Sequence, residues 1–208
     1  MTATFINSFI LFFVTIDTIG NLPFFLSLTE GAKIKKKNQI ALKSVIIAFF
    51  IMITFAYLGR YLLEAIHVSL DSLKIAGGVI LMFLAIDILF EKRKIRREKR
   101  VEEALDEKNF EEIIVFPIAI PFIAGPSALT TIILLIGNYA NFPEFQIAVI
   151  LALVAALIVS LVLMVGANFI IKYIPQQILH ATARVMAFIL AALATQFIID
   201  GIKASFNI

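Results

Sequence analysis

Six stretches of this chain, residues 5–28, 40–61, 73–90, 113–136, 145–171 and 183–202, are predominantly apolar. Each approaches or exceeds the roughly 20 residues that a helix needs to cross the hydrocarbon core of a bilayer. The expectation is an all-α, polytopic membrane protein of six transmembrane helices forming one membrane domain over residues 1–208. Composition agrees, with 61% hydrophobic residues against 16% charged and a mean hydropathy of +1.00. A soluble domain of this size could not cover so much apolar surface. The opening "MTATFINSFILFF" has no basic n-region and no small-residue cleavage site, so it reads as a mature first helix. With no Cys in the chain, disulfides, thiolate nucleophiles and cysteine metal sites need no consideration.

Charge orients these helices. Lys33, Lys35, Lys36, Lys37, Lys43, the eight basic residues from Lys92 to Lys108, Lys172 and Arg184 fall in or beside the connections after helices one, three and five. Only Arg60, Lys74 and Lys203 fall on the other side. The positive-inside rule then predicts a multi-pass protein of the cell membrane with both termini outside. Basic runs next to membrane spans mark the cytoplasmic face, so nucleic acid is not the expected partner. The lipid bilayer is. The charged segment 91–112 reads as a solvated, partly helical cytoplasmic linker between two halves, 1–90 and 113–208, with binding of anionic lipid or a regulator as its other reading.

The halves echo each other. Helix one is interrupted at "DTIGNLPFF" (17–25) and helix four at "PFIAGPSALTT" (121–131), while "LKIAGGVILMFLAID" in helix three answers "ARVMAFILAALATQFIID" in helix six. Three spans is an odd number, so the second half must cross in the opposite sense. The prediction is two inverted three-helix repeats with helices 1 and 4 broken at midplane Gly/Pro motifs, an arrangement that places a solute site between discontinuous helices.

A Gly-Pro break at membrane depth survives only where protein or a wet cavity surrounds it. Pro23 and Pro126 suit the first turn of a new helix, and Gly20 and Gly125 can take the irregular dihedrals ahead of it. Both new N-termini would face the centre of the protein, where free N–H groups can bind an anionic group. Asp17 is then a carboxylate paired with a solute ammonium or a coupling cation, or one that balances a half-helix dipole and caps free N–H groups. Asn21 either caps the inward half-helix or binds solute. Ser127, Thr130 and Thr131 share a helix face and either line a cavity or bond to their own backbone one turn earlier. Thr195 and Gln196, inside helix six, either reach the cavity or hydrogen-bond between helices.

Gly77 and Gly78 are expected to let helix three pack closely on a neighbour, and Lys74, Arg184, Asp87 and Asp200 to anchor helix ends. No H-E-x-x-H motif or Ser-His pair occurs at membrane depth, and no nucleotide-binding P-loop occurs anywhere. An enzyme is not expected, nor a metal or cofactor beyond a coupling ion.

The sequence resembles the MarC family of integral membrane proteins over essentially its whole length, on "DTIGNLPFF", "PFIAGPSALTT" and the closing "QFIIDGI" (196–202). Thr18 stands where the family pattern usually has proline after the first acid. That departure is expected to soften the bend, while Gly20, Asn21 and Pro23 keep the break. The resemblance implies a six-span cytoplasmic-membrane protein, some of whose relatives transport glycine, alanine or similar solutes. Two readings follow: a secondary transporter of small neutral amino acids coupled to a proton or sodium gradient, or a non-transporting membrane scaffold or sensor whose polar midplane is structural. Export of another small solute, or a passive pore, is a third. A zwitterion matches half-helix N-termini, one carboxylate and several hydroxyls, with no second charge to reward an acidic or basic side chain. The candidate solute-binding residues are Asp17, Gly20, Asn21, Pro23, Gly125, Pro126, Ser127, Thr130, Thr131 and Gln196, with Asp17 the candidate ion carrier.

Overall fold

The computed structural model describes residues 1–65, 67–90, 110–167, 169 and 176–206. The charged linker lies outside the described residues except for its last three, as do Lys172 and the end of the fifth predicted span. Helices account for the architecture, and no strand occurs among the described residues. In chain order they are α1 (Thr2–Ile16), α2 (Thr18–Leu28), α3 (Ile34–Ala65), α4 (Leu70–Leu89), α5 (Phe110–Ile113), an irregular stretch Ile114–Ile123, α6 (Pro126–Asn138), α7 (Pro143–Val165) and α8 (Gln176–Phe206).

Five segments among the described residues are long and apolar enough to cross a membrane: Thr2–Leu22, Ile34–Gly59, Asp71–Leu89, Pro143–Val165 and Ala187–Phe206. A sixth is the pair Glu111–Ile123 and Pro126–Asn138, bent by 59° at its break. Large apolar side chains point outward on the long helices, among them Phe50 and Leu58 on α3, Phe83 on α4, Val162 on α7 and Phe188 on α8. Lipid accepts such a surface and water does not. The chain is an integral membrane protein with several spans.

Helix α3 begins at Ile34, six residues before its apolar stretch, and carries Lys35, Lys36 and Lys37 in its first turn. The apolar run marks only the part of a helix that sits in hydrocarbon, and lysine is a good helix former outside it.

Two blocks make up the interior among the described residues. The larger core joins α1, α2, α3, the irregular stretch, α6 and α7 around Phe12, Phe25, Met52, Ile118, Ile132 and Leu153. A smaller one gathers Leu81, Ala85 and Ile88 of α4 with Ala187, Leu190 and Ala194 of α8, and Val14 of α1 ties it to the rest. Among the described residues, helices α4 and α8 form the most extensive pairing. Gly78 lies against Ala194 and Ile198, and Gly201 against Asp71 and Ile75, so the two run antiparallel. A Cβ at Gly78 would come within 2.7 Å of the Ala194 carbonyl oxygen, and one at Gly201 within 2.9 Å of that of Asp71. Both contacts require a residue with no side chain, as close helix packing in membranes favours. Gly77 faces α6 instead, against Thr130 and Leu134, so the packing role expected of both glycines is met.

Candidate functional site

The first span is interrupted at Asp17, three residues before Gly20. Asp17 takes a left-handed conformation (φ 50°, ψ 54°), closes α1 by donating its N–H to the Phe13 carbonyl, and opens α2 by accepting from the Gly20 N–H at 3.3 Å. Aspartate tolerates this region better than most residues, because its short carboxylate can hydrogen-bond locally and serve as an N-cap. Gly20, Asn21 and Pro23 all lie inside α2 rather than at the interruption. Pro23 is the sixth residue of that helix. Thr18, in the first turn of α2, is buried and shares a short hydrogen bond with Ser160 of α7.

The second interruption is built differently. Phe116 and Ile120 are extended (φ −122°, ψ 126° and φ −128°, ψ 124°), each directly before a proline, where the helical region is disfavoured. The chain then turns at Ala124 and Gly125, and α6 starts with Pro126 in its first turn. A Cβ on Gly125 would lie 2.6 Å from the Pro121 carbonyl oxygen, so the turn closes too tightly for any other residue without a backbone shift. No side chain caps α6, and its first turn contains no acid. Its N-cap and first turn therefore carry no anion of their own, whereas the N-terminus of α2 is met by the Asp17 carboxylate.

Asn21 joins the two interruptions. Its Nδ2 donates to the carbonyl of Ile16, the last residue of α1, at 2.9 Å, and to the carbonyl of Phe122 in the irregular stretch at 3.1 Å. The rings of Phe24 and Phe122 pack at 6.2 Å beside this link. Ser44 of α3 holds the start of the irregular stretch by donating to the Ile114 carbonyl at 2.9 Å. Asn21 is fully buried, and its Oδ1 has no hydrogen-bond partner. Leaving such an acceptor unmet costs about 1–3 kcal/mol. Ser8 Oγ is the other such atom among the described residues.

The remaining candidates divide. Thr130 and Thr131 donate to the carbonyls of Pro126 and Ser127 one turn earlier, at 2.9 and 2.8 Å, and the Thr130 methyl packs toward Gly77. Their hydroxyl protons are thus used within α6. Ser127 is buried in the first turn of α6. Gln196 does not join this group; it is exposed on α8 and donates to Asp200 at 2.7 Å, and Thr195 is exposed and bonds back to Ala191. Reading the sequence alone missed Ser44, Ser160 and Phe122. The two serines gave a weak signal as lone hydroxyls in apolar helices, while Phe122 acts through its carbonyl and gave none. No group of three or more His, Asp or Glu able to hold a metal occurs among the described residues.

A helical bundle of membrane spans, two of them interrupted and hydrogen-bonded to each other at the interruptions, defines a multi-pass integral membrane protein with a polar junction in its interior. Residues 2–206 match the family described as MarC family integral membrane protein, and the chain belongs to that family. It is 35% identical over 201 residues to a UPF0056 membrane protein of Archaeoglobus fulgidus, covering 95% of this chain and 92% of the relative. A UPF0056 membrane protein of Methanocaldococcus jannaschii is 31% identical, covering 98% and 88%. The UPF0056 inner membrane protein YhgN of Escherichia coli is 28% identical, covering 95% of each. No solved structure matches the chain.

Proposed function

We propose that the protein is a secondary transporter of small neutral amino acids such as glycine and alanine, driven by a proton or sodium gradient, with both termini outside and the 91–112 linker in the cytoplasm. The observation that carries this reading is the Asn21 bridge, which brings an uncapped helix N-terminus and a carboxylate-bearing interruption into one junction. The α6 end suits a carboxylate and the Asp17 side a cation, which together match a zwitterion.

The inverted repeat is part of the same proposal, and the packing supports it. Take α1 with α2 as the first span, α3 the second, α4 the third, the irregular stretch with α6 the fourth, α7 the fifth and α8 the sixth. The first packs on the fifth as the second packs on the fourth, and the third on the fourth as the first on the sixth. The third meets the sixth, the second the fifth and the first the fourth. Exchanging the halves maps each of these pairings onto another, as a two-fold relation between repeats requires, although the fourth span also packs on the fifth without a pairing of like extent between the first and the second.

A second reading, a non-transporting scaffold or sensor, is favoured by the bonding of Thr130 and Thr131 within α6 and by the use of the Asp17 carboxylate as a cap on α2. Uptake by proteoliposomes separates the two. Labelled glycine or alanine should accumulate under an imposed proton or sodium gradient and not without one; if the protein neither binds nor moves any neutral amino acid, the scaffold reading replaces transport. Cysteine labelling at residue 1 and within the linker tests the orientation, and labelling of the linker from outside would reverse it.

A further inference from the structure

The Asn21 side chain has one unanswered atom. Both Nδ2 protons are committed, to Ile16 and Phe122, and this fixes the orientation of the amide, since the reverse would set its oxygen against two carbonyl oxygens. Oδ1 is left with no partner on a residue that is 0% exposed. Most buried hydroxyls of the interior behave otherwise: Thr15, Thr18, Thr130, Thr131 and Ser160 find partners within the protein, and Ser8 is the exception among the described residues. An amide whose donors are spent can be completed at its oxygen only by an N–H, an O–H or a metal cation.

The surroundings choose among these. A metal ion needs several oxygens together, whereas the two carbonyls that converge on this amide already accept from Nδ2. A single acceptor suits a single N–H or O–H, and it is the nearby charge that favours an ammonium over a neutral donor. The charge that an ammonium would bring has its counterpart one helical turn earlier in Asp17, whose backbone carbonyl accepts from the Asn21 N–H at 3.1 Å.

We propose that Asn21 Oδ1 accepts an N–H from the ammonium group of the solute, and that the two bonds made by Nδ2 tie this contact to both interrupted spans. The proposal deepens the amino-acid transport reading and rests on it for the identity of the solute. It assigns the two ends of the zwitterion to different interruptions, the amine to the Asn21 side and the carboxylate to the N-terminus of α6. It also makes the amide a mechanical link, because a contact that moves Oδ1 moves the bonds to Ile16 and Phe122 with it.

The test is thermal unfolding of the purified full-length protein with glycine, betaine, methylammonium, tetramethylammonium or sodium added. Glycine and methylammonium should raise the unfolding temperature, while betaine and tetramethylammonium, which carry the charge without an N–H, should not. Asn21→Leu, close in volume, should abolish the methylammonium shift and weaken glycine binding at least tenfold. Equal protection by tetramethylammonium, protection by sodium alone, protection by neither amine, or an Asn21→Leu protein that binds glycine as the parent does would each overturn the proposal. Should Asn21→Leu fail to fold, the contrast between methylammonium and tetramethylammonium on the parent decides alone. Glycine binding insensitive to Asn21 leaves transport standing and removes this residue; methylammonium protection without amino-acid uptake does the reverse.

Discussion

The two interruptions fall in the first apolar stretch and in the fourth and solve the same problem in opposite ways. At Asp17 a single left-handed residue suffices; its carboxylate covers the new helix end, and Thr2–Leu22 still reads as one span. At Gly125 the chain spends two prolines, a tight turn and a 59° bend, and leaves the N-terminus of α6 without a capping side chain. An interruption that supplies its own anion is electrostatically closed. One that does not is open to an anion from elsewhere. Equivalence in sequence position therefore does not imply equivalence of role, and on the proposed reading the junction is polar along one direction, as a zwitterion is.

The largest effect should come from filling the second turn. Gly125→Leu puts a Cβ against the Pro121 carbonyl, which cannot rotate away as a side chain would. Overpacking of this kind costs about 1–3 kcal/mol, and more where backbone must move. Thermal unfolding and size exclusion should show a destabilised protein, and amino-acid binding should be lost. A variant with parental stability and uptake would mean that the bend is not rigid. Next in size is a change that makes the second interruption resemble the first. Ser127→Asp supplies an internal anion to the α6 N-terminus, and the dipole interaction it takes up is worth up to about 2 kcal/mol. Glycine binding should fall by roughly tenfold or more, because the solute carboxylate now meets an occupied, negatively charged end. Unchanged binding would show that the α6 terminus does not receive the solute.

Much of this contrast is legible in the sequence, and the rest is hidden for definite reasons. The Gly125-Pro126 pair announces its turn, since proline favours the first helical position and glycine fits a crowded approach. The first interruption is legible only to within a turn. Gly20 and Pro23 attract the reading, but the Asp17 carboxylate can satisfy the Gly20 N–H and so moves the break to a residue whose left-handed conformation no spacing rule reveals. Spacing puts Ser127, Thr130 and Thr131 on one face, yet whether a hydroxyl turns to a cavity or to its own backbone depends on neighbours such as Gly77. The Asn21 to Phe122 bond joins residues 101 apart in the chain and belongs to tertiary structure alone.

A smaller effect separates the structural from the chemical role of Asp17. Asp17→Ala removes the cap from α2 and should cost about 0.5–2 kcal/mol by thermal unfolding. Asp17→Asn keeps a capping oxygen and a side chain suited to the left-handed region, so its stability should stay close to the parent. On the transport reading, Asp17→Asn nevertheless loses gradient-driven accumulation of glycine in proteoliposomes. If both variants lose stability equally, the negative charge itself holds the helix end. If Asp17→Asn accumulates glycine as well as the parent does, the first interruption serves only the fold, and its electrostatic contrast with the second carries no transport role.

The smallest effect is expected at Gln196, which tests whether the junction is confined to the two interruptions. Its side chain is exposed on α8, on the helix that pairs with α4 outside the larger core, and its amide is engaged by Asp200 on the same helix. An exposed hydrogen bond between residues four apart on a helix stabilises by about 0.2–0.5 kcal/mol. Gln196→Ala should therefore unfold within a degree or two of the parent and bind glycine within about twofold of it, since substitutions away from packed or bonded sites usually stay within about 0.5 kcal/mol. A tenfold loss of glycine binding with unchanged stability would extend the site to the sixth span. The contrast between an open and a closed interruption would then be only part of how the solute is held.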